Sequence, residues 1–124
     1  MKFTKDDRTA NSVQQVEPGA IRIGEQTIRE NIVLTPDEIL RDLPLHDFDT
    51  LAAADLEPLL EPQPEMLILG TGWRSVLPPR DLVFALARRG IAVECMGTPA
   101  ACRTFNILLS EGRRPTAILT VLAD

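Results

Sequence analysis

The chain has 124 residues, with 13 Lys and Arg against 18 Asp and Glu, one His and a net charge of -5, the length of one domain. At 44% hydrophobic and 25% charged, its composition is that of an ordinary soluble globular domain and excludes a disordered or collagen-like chain. The acidic balance argues against a nucleic-acid partner, because affinity for the backbone comes mainly from Lys and Arg neutralising phosphates.

Charge is unevenly placed: residues 1–36 are neutral, residues 37–65 carry -8 and residues 66–124 carry +3. No apolar run approaches the roughly 18 to 20 residues that span a bilayer, so the chain is read as not integral to a membrane. The first eight residues lack the apolar stretch of a secretory signal, and a cytoplasmic location in a bacterium is the expectation. Cys95 and Cys102 make neither a C-x-x-C pair nor a zinc pattern, and reduced thiols are expected.

Residues 1–12 are polar and aperiodic and are read as a flexible arm, with a single α/β domain over residues 13–124. Pro18-Gly19 makes a turn. Ala20-Ile21-Arg22-Ile23 alternates, Gly24-Glu25 is a turn signal, and residues 27–34 are extended again, which predicts an N-terminal β-hairpin. Thr35-Pro36-Asp37-Glu38 has the form of a capping box, but Pro44 arrives too soon for more than a short turn. The acidic residues 37–65 hold Pro44, Pro58, Pro62 and Pro64 and read as a surface excursion. Within it, a short helix over residues 55–60 would bury Leu56, Leu59 and Leu60.

The second half is clearer. Met66-Leu67-Ile68-Leu69 is a continuous apolar run, as in a strand covered on both faces, and Gly70-Thr71-Gly72 ends it. Residues 79–89 form a helix with Asp81 in the first turn, Arg88 and Arg89 in the last and Gly90 beyond. Residues 91–96 are a strand. Thr98, as N-cap, and Pro99 open a second helix that Gly112 ends. Residues 117–121 are the last strand. Helical crossovers between strands predict a three-layer α/β domain whose central mixed sheet is covered by helices.

Several features bear on chemistry. Gly70-Thr71-Gly72 after a strand opens a ligand or nucleotide reading with Trp73, Arg74 and the Thr98 helix terminus, because backbone N–H groups there can approach phosphate. A third glycine is absent at Ser75, and a tight structural turn is the favoured reading. Cys102 sits early in its helix beside Arg103, where the dipole lowers a thiol pKa; its place beside the apolar stripe favours an inert thiol. His46 among Asp47 and Asp49 reads as a solvated loop rather than a metal ligand. On a helical projection Phe84 and Ile107 fall on polar faces, near Arg88 and Arg103, and could form one arginine-rimmed partner patch. Glu111, opposing the helix dipole, is expected to pair with Arg113 or Arg114.

Gly70-Thr71-Gly72, the strand 90–96, Thr98-Pro99-Ala100-Ala101, Thr104-Phe105-Asn106-Ile107-Leu108-Leu109 and Glu111-Gly112-Arg113 together resemble a small family of proteins of unknown function. That family includes the mitochondrial respiratory complex I assembly factor three and the adipogenesis-associated single-domain protein. The resemblance covers residues 15–123 and implies a three-layer α/β domain with no established catalytic residues or cofactor. It also implies a protein partner, a respiratory-complex subunit or a second assembly factor. The family pattern emphasises Gly70, Thr71, Gly72, Thr98, Asn106, Glu111, Gly112 and Arg113. Most of these have structural explanations as turn, cap or helix-end residues; Asn106, flanking the apolar stripe, does not, and it joins Phe84, Arg88, Arg103, Ile107 and Arg113 as a candidate contact residue.

Overall fold

The computed structural model describes residues 11–41, 48, 51–74 and 76–121. The arm read over residues 1–12 lies outside them except for Asn11 and Ser12, and so do His46, Asp47 and Asp49.

Alternating apolar residues near the start of the domain build an antiparallel meander of β1 (Val13–Glu17), β2 (Ala20–Ile23) and β3 (Gln26–Ile28). Val13, Ile21, Ile23 and Ile28 are buried, whereas Gln15, Arg22 and Thr27, paired across the three strands, are exposed. The extended run expected over residues 27–34 divides. β3 completes the meander, and β4 (Ile32–Leu34) enters a second sheet. Asn31 lies at the break, its side-chain oxygen accepting the Val121 N–H at 2.8 Å. The Gly19 N–H donates to the Val121 carbonyl, also at 2.8 Å. The expected hairpin is present as β2 and β3, and β1 makes it a three-stranded sheet by pairing with β2 across the Pro18-Gly19 turn, while Asn31, bonded to Val121, marks where the second arm leaves this sheet.

The second sheet has the order β5-β4-β8-β6-β7, with β5 (Ile39–Leu40), β6 (Met66–Gly70), β7 (Ala92–Met96) and β8 (Pro115–Leu119). It is mixed: β6 runs parallel to β7 and β8, and β4 runs antiparallel to β5 and β8. Thr35 to Glu38 turn β4 into β5, with Thr35 Oγ1 accepting the N–H groups of Asp37 at 3.2 Å and Glu38 at 2.9 Å. A 3-10 helix, Ala53–Leu59, follows in the acidic excursion. Leu56, Leu59 and Leu60 are buried, and the Asp55 carboxylate accepts the Ala52 N–H at 2.9 Å. The last strand starts at Pro115, two residues earlier than expected, because a first strand position tolerates the missing N–H.

Two helices, α1 (Arg80–Arg88) and α2 (Thr98–Ser110), complete the fold. Strand alternation sends Ile32, Leu34, Ile68, Ala117 and Leu119 to one side of the central sheet, where they meet Phe105 of α2 and the meander. Val33, Leu67, Leu69 and Ile118 go to the other side and meet Leu82 and Leu86 of α1 and Leu56 of the 3-10 helix. The crossover from β6 to β7 and that from β7 to β8 run in opposite directions across the sheet, and right-handed connections then place their helices on opposite faces. The result is the expected three-layer α/β domain with a central mixed sheet.

Both helices end alike. Gly90 and Ile91 donate to the carbonyls of Ala87 and Leu86 at 2.9 Å, and Gly112 and Arg113 donate to those of Leu109 and Leu108 at 3.0 Å, the paired bonds of a Schellman ending. Gly112 takes φ +78°, which an L side chain rarely adopts.

Candidate functional site

The loops after β6 and β7 leave for opposite faces of the sheet, so Gly70-Thr71-Gly72 and Gly97-Thr98 flank a topological switch point. Open α/β sheets bind ligands at such places. Here the crevice is occupied by the chain's own bonds. Thr98 Oγ1 accepts the Gly72 N–H at 2.8 Å and donates to the Thr120 carbonyl at 2.6 Å. The Thr98 N–H donates to the Gly72 carbonyl, and the Thr71 N–H to that of Met96, both at 2.9 Å. The Thr71 hydroxyl donates to the Arg74 carbonyl at 2.8 Å. A Cβ on Gly70 would lie 3.0 Å from the Leu119 side chain of β8 and 3.1 Å from Ala101 of α2, so a larger residue there would require these neighbours to give by a few tenths of an ångström. Thr98 is not the N-cap expected of it. Gly97 holds that position, and the threonine hydroxyl is spent on joining the two loops to the end of β8. Trp73, 40% exposed, and the exposed Arg74 lie on the rim.

The thiols are poor nucleophiles. Cys102 is buried on the inner stripe of α2, and burial pushes its pKa up to about 12, desolvation outweighing the opposing pull of Arg103. Cys95 is half-buried, donates from Sγ to the Val76 carbonyl at 2.9 Å, and is also raised by burial. Among the described residues no group of three or more His, Cys, Asp and Glu could hold a metal ion.

Phe84 and Ile107 are 52% and 57% exposed, as the helical projection requires. They do not share a patch, because α1 and α2 lie on opposite faces of the sheet. Each keeps its own arginine four positions away on the same helix: Arg88 follows Phe84, and Arg103 precedes Ile107. Asn106 is turned inward. Its Oδ1 accepts the Val13 N–H and its Nδ2 donates to the Val13 carbonyl, each at 2.8 Å, so it binds β1 to α2 as an added strand would. This is the structural role that Asn106 lacked in the sequence. Arg113 reaches Glu65 at 3.8 Å, and Arg114 pairs with Asp37, so neither arginine neutralises Glu111 as expected. Leu77, 83% exposed, was invisible to periodicity because it lies in the loop before α1.

A cavity of about 250 Å³ opens between the β4–β5 turn, the segment after the 3-10 helix and the start of β8. Asp37, Glu38 and Glu61 line it with Pro36, Pro58 and Pro62. The sequence marks Pro58, Glu61 and Pro62 only as part of the acidic, proline-interrupted excursion, and Pro36, Asp37 and Glu38 as the turn with the form of a capping box.

Comparison with known proteins places this geometry. The chain is 35% identical over 116 residues to NADH dehydrogenase (ubiquinone) 1 alpha subcomplex assembly factor 3 of Danio rerio, covering 93% of this chain and 67% of that protein. The human protein of the same name is 48% identical over 61 residues, which are 49% of this chain and 33% of its own length. The alignments thus span from one third to two thirds of these relatives. A crystal structure from Bordetella parapertussis superposes with a TM-score of 0.80 at 32% identity, covering 91% of this chain and 97% of the other. No helix among the described residues is long and apolar enough to cross a membrane. Residues 13–120, from the first strand of the meander to the residue after β8, match the family described as protein of unknown function (DUF498/DUF598), and the chain belongs to that family.

Proposed function

We propose that this chain is a non-enzymatic protein-interaction module with an assembly-factor-like role for a respiratory complex, its partner a complex subunit or a second assembly factor. The observation that carries this reading is the 35% identity, across 93% of the chain, to a protein named as a complex I assembly factor. The surface agrees with it. Ile107 with Arg103 on α2, and Phe84 with Arg88 on α1, each combine an exposed apolar side chain with arginine, a pairing enriched in protein interfaces. Because the two lie on opposite faces, they serve as two separate contacts.

Affinity purification of the tagged chain from its native cell should recover a defined partner. Ile107→Asp and Phe84→Asp, tested singly, should keep the wild-type circular dichroism and urea midpoint, and at least one should lose that partner. Retention of the partner by both variants would remove these contacts from the proposal.

A second reading, a small-ligand or nucleotide site at Gly70, Thr71, Gly72, Trp73, Arg74 and Thr98, draws support from the switch-point position of the turn. Against it stand the Gly72 N–H and the Thr98 hydroxyl, both engaged within the fold. Titration of NAD, ATP and inorganic phosphate against Trp73 fluorescence discriminates, and an unchanged emission sets this reading aside.

A further inference from the structure

We propose that the outer edge of β7 takes up an extended segment of a partner protein as an added antiparallel strand, with a lysine or arginine of that segment opposite Glu94. The inference rests on the interaction reading and adds a contact made through main chain, separate from those of Ile107 and Phe84.

This end of the sheet is open. β7 pairs with β6 on one side and lies last in the order of the five-stranded sheet. The Met96 carbonyl accepts the Thr71 N–H, so Met96 and, by alternation, Glu94 turn their backbone groups toward β6, and Val93 and Cys95 turn theirs outward. Among the described residues the outward N–H and carbonyl groups of Val93 and Cys95 have no hydrogen-bond partner. The other sheet edges are better closed. β3 has three residues and β5 two, and Asn106 takes both backbone groups of Val13 in β1. Short edges and occupied groups limit stray pairing, and β7, five residues long, has neither protection.

Register selects the occupant. For a second copy of this chain, only an antiparallel pairing centred on Glu94 would use every outward group, because the Ile91 N–H and the Gly97 carbonyl are already bonded to Leu86 and Ala101. That pairing sets Glu94 directly opposite the same glutamate of the other copy, and like charges so placed destabilise a sheet. A segment with lysine or arginine at that position turns the repulsion into attraction. Glu94 is exposed and has no ion pair among the described residues, so its carboxylate is free to meet such a group. The flanking positions of the added strand point to the other face of the sheet, where Val76, Val93 and Cys95 lie partly buried at the border of the core under α1. Apolar side chains suit those positions. The partner segment therefore reads apolar, basic, apolar, with main-chain bonds supplying affinity and the alternate side chains specificity.

The test is an NMR titration of the full chain with the acetylated, amidated pentapeptide threonine-valine-arginine-valine-threonine. Saturable shifts are expected at the amides of Val93 and Cys95, with binding at least about threefold tighter than that of the same peptide carrying glutamate in place of arginine. Glu94→Lys should invert that preference while keeping the wild-type urea midpoint. In the added strand the valine N–H groups face β7 and the arginine N–H faces away, so N-methylation of both valines should abolish binding and N-methylation of the arginine should preserve it. No saturable response at Val93 and Cys95 up to about 10 mM peptide, equal binding of the arginine and glutamate peptides, or retained binding after valine methylation would each overturn the proposal. So would sedimentation of the wild-type chain as a dimer whose Val93 and Cys95 amides are protected from exchange. None of these outcomes touches the recovery of a partner through Ile107 or Phe84, which tests the interaction reading itself.

Discussion

Asn106 and Val13 are 93 residues apart and exchange two hydrogen bonds, so a single amide side chain carries much of the attachment between β1 and α2. Removing it leaves both backbone groups of Val13 without their partners. Asn106→Ala should therefore destabilise the fold by about 1–3 kcal/mol, read from the urea midpoint, and the Val13 amide should lose its protection from hydrogen exchange. An unchanged midpoint would mean that water replaces the side chain at no cost. Cys102 gives a pH-dependent prediction at the same scale. Its thiol, ordinarily at 9.0, is raised to about 12 by burial, so above pH 9 the folded chain keeps a proton that the unfolded chain has lost. Its contribution is fully present below pH 9 and declines as pH rises from there toward 12. The urea midpoint of the wild-type chain should fall more steeply above pH 9 than that of Cys102→Ala, and parallel slopes would contradict the burial argument.

At the scale of elements, the central sheet separates two cores that share little but the strands between them. Ile21 belongs to the core under the meander and α2, and Ile91 to the core under α1. Ile21→Val and Ile91→Val should each cost about 0.5–1.5 kcal/mol, and the double variant should equal their sum within about 0.5 kcal/mol. A larger coupling would show that strain crosses the sheet. The same division explains what could be read in advance. The apolar run Met66 to Leu69, both helices and their glycine endings were legible because their signals are local: periodicity, proline at the start, glycine at the stop. The exposure of Phe84 and Ile107 followed from helical projection alone. Their separation did not, since it depends on the order β8-β6-β7, which no local pattern encodes. The break at Asn31 and the inward turn of Asn106 were hidden for a related reason: their partners, Val121 and Val13, lie 90 and 93 residues away. Of the candidate site, the glycine turn was found as a motif, but its closure by Thr98 rests on contacts 22 and 26 residues distant.

The whole molecule is held together from its far end. β8 lies between β4 and β6, at the centre of the five-stranded order, and Val121 just beyond it bonds to both Gly19 and Asn31. A chain cut after Gly112 should therefore lack a cooperative urea transition, although both helices and seven strands of the described fold precede the cut; a sharp transition in that fragment would show that the halves fold apart. The central position of β8 also sets a timetable on the ribosome. While the chain is being made, β4 and β6 emerge with their inner edges unpaired, and they stay so until the last strand of this fold has cleared the exit tunnel. From the emergence of β6 until Leu119 appears, the protein is two open sheet edges waiting for one strand, which makes that interval the time when a chaperone has most to protect.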